Sequence, residues 1–164
     1  MKSIVCLLVL VFIASKTLFS QDINSEILEL RSIISENPNT EESAKLLIKV
    51  FRLYIKTNQR DEAYKYCESI QKEYKGNEIE AVSICITIPK LLRADKFDEV
   101  KTKCLYVRKN FKGSSWAAES LYNLGEMYLN VYEDKATADK YFKELVEDCP
   151  GSGLVKSAKL YLGG

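Results

Sequence analysis

Histidine is absent from all 164 residues. That removes His-based general acid-base catalysis, Ser-His and Cys-His nucleophile pairs, and the histidine-bearing zinc-protease motifs. Neither Gly-x-x-x-x-Gly-Lys-Ser/Thr nor Gly-x-Gly-x-x-Gly occurs to cradle a phosphate. Carboxylates stand together at Glu41-Glu42, Asp98-Glu99 and Glu147-Asp148. Adjacent residues on a helix point in different directions, so these read as solvated pairs and not as an acid and a base sharing a substrate. The chain is expected not to be an enzyme, and to use no cofactor and no metal.

Sulfur is the remaining reactive element. Cys67, Cys85, Cys104 and Cys149 lie beyond the amino-terminal segment that carries Cys6. Four cysteines in an exported chain permit disulfides, with three connectivities open. The alternative is that Cys67, Cys85 and Cys104 occupy predicted helices as small buried apolar residues. No Cys-x-x-Cys occurs, which excludes the thioredoxin-type pair and the common zinc ribbons. The tyrosines and Trp116 offer aromatic surface for a ligand. Helical aromatic stripes usually pack, however, and core roles are expected for Tyr54, Tyr66, Tyr74, Tyr106, Tyr128 and Tyr141.

The elements that must position these groups follow from composition and period. With 46% apolar and 29% charged residues the chain has the make-up of a soluble globular domain. Residues 1–20 differ: Lys2 precedes an apolar run from Ile4 to Ala14, and Leu18-Phe19-Ser20 precedes Gln21-Asp22. This reads as a signal peptide cleaved near Ser20, the alternative being an uncleaved anchor. The apolar run is shorter than the ~20 residues a spanning helix requires, and Lys16 interrupts its extension. The expected product is exported, without a transmembrane span. Removing Lys2 and Lys16 changes 24 basic against 23 acidic residues to 22 against 23. Such a balance gives no electrostatic case for nucleic acid.

Helical spacing then recurs along the chain. Ile23, Ile27, Leu30 and Ile34, widened by Leu28 and Ile33, predict one helix within residues 21–39. Asn39-x-x-Glu42 resembles a capping box opening the next helix, which carries Ala44, Leu47, Val50, Phe51 and Tyr54 on one face. Another follows with Ala63, Cys67 and Ile70 inward. Helices from Glu78 to Arg93, with Pro89 expected to kink it, and from Phe97 to Asn110 repeat the arrangement. Asn39, Gly76, Gly113 and Gly151 lie 37, 37 and 38 residues apart, which marks a repeat protein. Shifted by 37, Tyr54, Ala63, Cys67 and Ile70 fall on Leu91, Val100, Cys104 and Val107. Shifted once more, they reach Tyr128, Ala138, Phe142 and Leu145, with one extra residue in the third turn. The expected divisions are a helix at 21–39, hairpins at 40–76, 77–113 and 114–151, and a capping helix at 152–164.

The third hairpin runs Leu121-x-x-Leu124-Gly125-x-x-Tyr128, then Ala138-x-x-x-Phe142, then Pro150. It resembles the tetratricopeptide (TPR) pattern, with Leu121 replacing the leading Trp. The first two hairpins have Phe51 and Ile88 in the glycine column. The resemblance implies an all-α, right-handed solenoid of TPR-like helix-turn-helix hairpins. The longer repeat, and the segment Ala117 to Ala158, resemble TPR proteins of the bacterial envelope of the Tol-Pal-associated and outer-membrane-assembly type, although Cys149 stands where their break carries Tyr.

In such solenoids the first helix of each hairpin lines a concave groove that holds a protein segment. Carried over, the groove would comprise Lys45, Ile48, Lys49, Arg52 and Lys56, then Val82, Cys85, Ile86 and Leu92, then Glu119, Tyr122, Asn123, Glu126 and Leu129. The function so implied is a non-catalytic interaction scaffold or adaptor in the periplasm or envelope, binding a protein or peptide. Two alternatives stand beside it: a structural subunit that self-associates through its ends, and a disulfide-bearing or redox-sensitive secreted protein.

Overall fold

The computed structural model describes residues 21–163. The predicted signal peptide and Cys6 lie outside them. Among the described residues the architecture is all-α, without strands: α1 (residues 21–36), α2 (Glu41–Lys56), α3 (Arg60–Glu73), α4 (Glu78–Leu92), α5 (Phe97–Asn110), α6 (Ser115–Asn130), α7 (Lys135–Asp148) and α8 (Val155–Leu162). Two compact units divide the chain, one up to Tyr66 and one from Cys67, so that the boundary falls within α3.

In the first unit Ile23, Ile27, Leu30 and Ile34 are buried with Ala44, Leu47, Val50 and Tyr54 of α2. Leu28 and Ile33 do not widen the α1 stripe as expected: they are 65% and 40% exposed. They lie beside the buried stripe, where the packed face of α1 has already ended. The cap of α2 is displaced by one residue from the predicted Asn39. Thr40 accepts the Ser43 N–H at 3.1 Å, satisfying one donor that the first turn leaves without a helical partner. Arg31 ties α1 down: its Nη1 donates to the Tyr54 hydroxyl at 3.2 Å, and its guanidinium lies 4.3 Å from the Tyr66 ring centroid.

In the second unit each helix from α4 to α8 packs on the next, and α4 also packs directly on α6. Contact between a helix and the next but one is what stacked hairpins produce. One cluster joins Ile84, Ile88 and Leu91 of α4 to Val100, Cys104 and Val107 of α5 and to Leu124 and Met127 of α6. A second joins Ala117, Ala118 and Leu121 to Ala138, Phe142 and Leu145 of α7 and Ala158 of α8. Pro89 stands in the last turn of α4, and the helix runs past it to Leu92.

Corresponding columns share their environment. Ala63, Cys67 and Ile70, Val100, Cys104 and Val107, and Ala138, Phe142 and Leu145 are all buried. The turns correspond as well. The residue that opens each second helix donates its N–H back to the carbonyl of Tyr54, Leu91 or Tyr128: Gln59 at 2.8 Å, Lys96 at 3.0 Å and Asp134 at 2.8 Å. The first two bonds span five residues and the third six, which places the extra residue of the third hairpin between Tyr128 and Asp134. Just before each donor the backbone is left-handed, at Asn58, Asp95 and Glu133. Between hairpins, Gly76 and Gly113 take φ of 81° and 78°, a conformation that costs glycine nothing. Gly151 does not share it. All three breaks nevertheless keep one bond, Asn77 N–H to Tyr74 O, Ser114 N–H to Phe111 O and Ser152 N–H to Cys149 O, at 3.1, 3.1 and 2.9 Å.

The glycine column is explained by its partners. A Cβ on Gly125 would stand 2.5 Å from Cε1 of Phe142, so the large ring fits only because α6 offers no side chain there. In the second hairpin the sizes are exchanged, with Ile88 and Cys104 in one cluster. Cysteine is thus the small member of a large-small pair. Cys67, Cys85, Cys104 and Cys149 are free thiols and all buried. Burial pushes the Cys67 and Cys104 thiols up to about 12, and raises those of Cys85 and Cys149. These are features of inert packing thiols rather than of reactive ones.

Candidate functional site

Ser114 opens α6 by accepting the Ala117 N–H at 3.1 Å. One side of the helix is committed to the core through Ala117, Ala118, Leu121, Leu124, Gly125 and Met127. That leaves Glu119, Tyr122, Asn123 and Glu126, at relative positions 0, 3, 4 and 7, as a strip of half-buried side chains, with Leu129 at its end. α8 completes the strip. Its Tyr161 donates from the hydroxyl to Glu126 Oε1 at 3.2 Å, and its ring lies 6.2 Å from that of Tyr122 at 60°. Phe142 supports both rings from below, stacked on Tyr161 at 4.7 Å and edge-on to Tyr122 at 5.8 Å.

The electrostatics of this strip are one-sided. α6 contains no lysine or arginine, and neither Glu119 nor Glu126 has an ion-pair partner among the described residues. Burial raises the Glu119 carboxyl above its ordinary value. Burial also raises the Tyr122 hydroxyl, helped by hydrogen bonds to Tyr161 and Glu126.

The other expected groove residues are placed differently. Val82 and Cys85 are buried instead of lining a surface, and among residues 79–88 only Ile86 escapes full burial. Apolar residues spread over most of α4, and even its polar Glu80, Ser83 and Thr87 are buried, so apolar periodicity does not separate a wall from a core. Cys85 faces α6, its thiol donating to the Trp116 carbonyl at 3.7 Å and lying 3.9 Å from the Ser120 hydroxyl. Leu92 is half-buried. In the first unit Lys45, Lys49, Arg52 and Lys56 are exposed and Ile48 is half-buried. Lys45 pairs with Glu41 at 2.8 Å and Lys49 with Glu26 of α1 at 2.7 Å, so two of these charges already have internal partners. Tyr161 escaped the sequence reading as a site residue. Its signal was available, because a capping helix occupies the place of a further first helix.

A cavity of about 510 Å³ opens among α3, α4 and α5, lined by residues that include Gln71, Lys72, Glu80, Ile84, Lys103 and Tyr106. Its buried carboxylate is already engaged. Glu80 accepts the Gly76 N–H at 2.7 Å and the Tyr106 hydroxyl at 2.8 Å, fastening the turn before α4 to α5. Lys103 donates to Gln71 at 2.7 Å, and Gln71 to Thr87 at 3.3 Å. Internal partners occupy most of these polar groups, whereas the α6 carboxylates lack a cation. No group of potential metal ligands occurs among the described residues, and none of their helices is long and apolar enough to cross a membrane.

Comparison with known proteins bears on the same hairpin. Residues 119–152, which include every position from Leu121 to Pro150, match the tetratricopeptide repeat family. The chain is TPR-like. The match begins at Glu119 and takes in the whole α6 strip together with α7. No curated protein and no solved structure gives a significant match. TPR repeats generally mediate protein-protein interaction and are not typically catalytic.

Proposed function

We propose that this protein is a non-catalytic interaction module of the cell envelope that holds a segment of a partner protein along the exposed strip of α6. The observation that carries this reading is the strip itself: Glu119, Tyr122, Asn123 and Glu126, joined by Tyr161, form a continuous polar and aromatic surface on the hairpin that matches the TPR family. Half-buried carboxylates and tyrosines without charged partners are unfinished surface, and a bound segment would complete them. The envelope location rests on reading residues 1–20 as a signal peptide, and the adaptor role on the resemblance to envelope TPR proteins.

A photoreactive amino acid in place of Asn123 tests the surface in living cells. It is expected to crosslink a discrete protein in the envelope fraction, while the same probe at exposed Lys143 on α7 gives none. Equal capture at both positions, or no capture at Asn123, overturns the assignment of the binding strip. Recovery of the protein in the cytosol with residues 1–20 still attached overturns the location.

A further inference from the structure

Within the α6 strip, Tyr122, Glu126 and Tyr161 form a distinct arrangement. Two tyrosine rings inclined at 60° stand 6.2 Å apart, and the Glu126 carboxylate is fixed at their edge by the Tyr161 hydroxyl at 3.2 Å. Phe142, fully buried, covers one face of Tyr161 and sets its plane to within 3° of its own. Tyr161 remains half-exposed. Internal contacts therefore assemble the frame before any partner arrives, and such preorganisation lowers the ordering cost of binding.

Its chemistry selects charge. Tyrosine faces carry negative electrostatic potential and attract an ammonium or guanidinium group within about 6 Å of the ring centroid. A carboxylate at the rim adds direct attraction and accepts hydrogen bonds from the same group. Among the described residues no cation pairs with Glu126 or lies over the Tyr122 or Tyr161 ring. α6 has none, and Lys135, which reaches the Tyr161 carbonyl at 3.5 Å, is bonded to Asp139 at 3.2 Å. Seven residues before Glu126, on the same face, Glu119 offers a second carboxylate that has no counter-ion among the described residues.

We infer that the Tyr122–Glu126–Tyr161 frame is a receptor for a lysine or arginine side chain, and that the partner presents a basic segment whose next cation lies against Glu119. The inference rests on the reading of α6 as the partner-binding strip and specifies the partner's chemistry. Two helical turns separate Glu119 from Glu126, a rise of roughly 10.5 Å. An extended peptide covers that distance in about three to four residues. The segment thus carries cations at that spacing.

The test uses the protein without residues 1–20, isotope-labelled, titrated by NMR with three acetylated decapeptides of alternating Lys-Ala, Gln-Ala and Glu-Ala. The Lys-Ala peptide is expected to shift the ring signals of Tyr122 and Tyr161. The Glu-Ala peptide should leave them in place, and the Gln-Ala peptide should bind more weakly. Glu126→Gln, which preserves shape, should weaken the Lys-Ala peptide about two- to five-fold, as should about 0.5 M salt. Tyr161→Leu should weaken it as much, while Tyr161→Phe, which keeps the ring, retains most of the affinity. Equal binding of the three peptides on the strip would overturn the cation receptor while leaving α6 as a protein-binding surface. Shifts confined to other helices, or no shift with the Lys-Ala peptide, overturn it too, and crosslinking at Asn123 then decides separately whether the strip binds a partner of other chemistry.

Discussion

Replacing Gly125 by alanine opposes two effects of known sign. A mid-helix glycine is about 0.8–1.0 kcal/mol worse than alanine, so on α6 considered alone the change should stabilise. Packing works against it. The new Cβ would lie 2.5, 2.6 and 2.9 Å from three ring atoms of Phe142, against a comfortable separation of about 3.5–4.0 Å. The ring must retreat by about 1 Å, and it is fully buried, stacked on Tyr161 at 4.7 Å and edge-on to Tyr122. Overpacking of this kind costs about 1–3 kcal/mol, and with the ring held on two sides the upper half of that range applies. The net expectation is a loss of about 1–2 kcal/mol. The sole tryptophan, Trp116, belongs to this unit, with its indole N–H bonded to Glu78 Oε1 at 3.2 Å, so its fluorescence reports unfolding there. At a urea dependence of about 2 kcal/mol/M the midpoint should fall by about 0.5–1 M. Phe142→Leu alone should cost stability by leaving a void. In the double variant the two losses should be clearly less than additive, because the alanine methyl enters space the ring vacated. A stabilising Gly125→Ala, or strictly additive losses, would refute the large-small account of this column.

The left-handed backbone at Glu133 (φ 53°) brings its Cβ close to the following carbonyl oxygen, a crowding that glycine avoids, so Glu133→Gly should raise the urea midpoint by the equivalent of about 0.5 kcal/mol, and a lowered midpoint would count against the turn geometry. Folded Cys104 keeps its proton up to about 12 while the unfolded thiol ionises near 9.0. Between those values the native state binds more protons, so stability is whole below pH 9 and falls as pH rises, by up to about 1.4 kcal/mol per pH unit per thiol. Cys104→Ala should flatten that alkaline slope in urea titrations, and an unchanged slope would mean the thiol is not buried as described.

The second helices were legible in the sequence because each buries a single narrow face. Ala63, Cys67 and Ile70 and their counterparts recur at fixed spacing, and each recurrence is a buried position. The hairpin turns were legible for a similar reason: the extra residue before Ala138 shows as a change from nine to ten, and the backbone bond lengthens from five residues to six. The α4 part of the groove was not legible. Ile79, Val82, Ile84, Cys85, Ile86 and Ile88 spread apolar residues over most of α4, so the pattern is the same whether Val82 and Cys85 face a partner or the interior, and only the packing of α6 on α4 determines which. Leu28 and Ile33 failed for the opposite reason, since apolar residues beside a stripe can remain in water when nothing is placed over them.

By itself the sequence determined the element type, the repeat interval and the chemistry that is missing. Apolar spacing, glycine at the breaks and the absence of histidine are local properties that need no partner to be read. Tertiary structure alone decided which exposed positions act together. Tyr161 is 35 residues from Glu126, and nothing local to either predicts that the hydroxyl of one will meet the carboxylate of the other. That meeting depends on the ring of Phe142 filling the space above Gly125, so that the same small-against-large packing that closes the hairpin also orients the surface beside it.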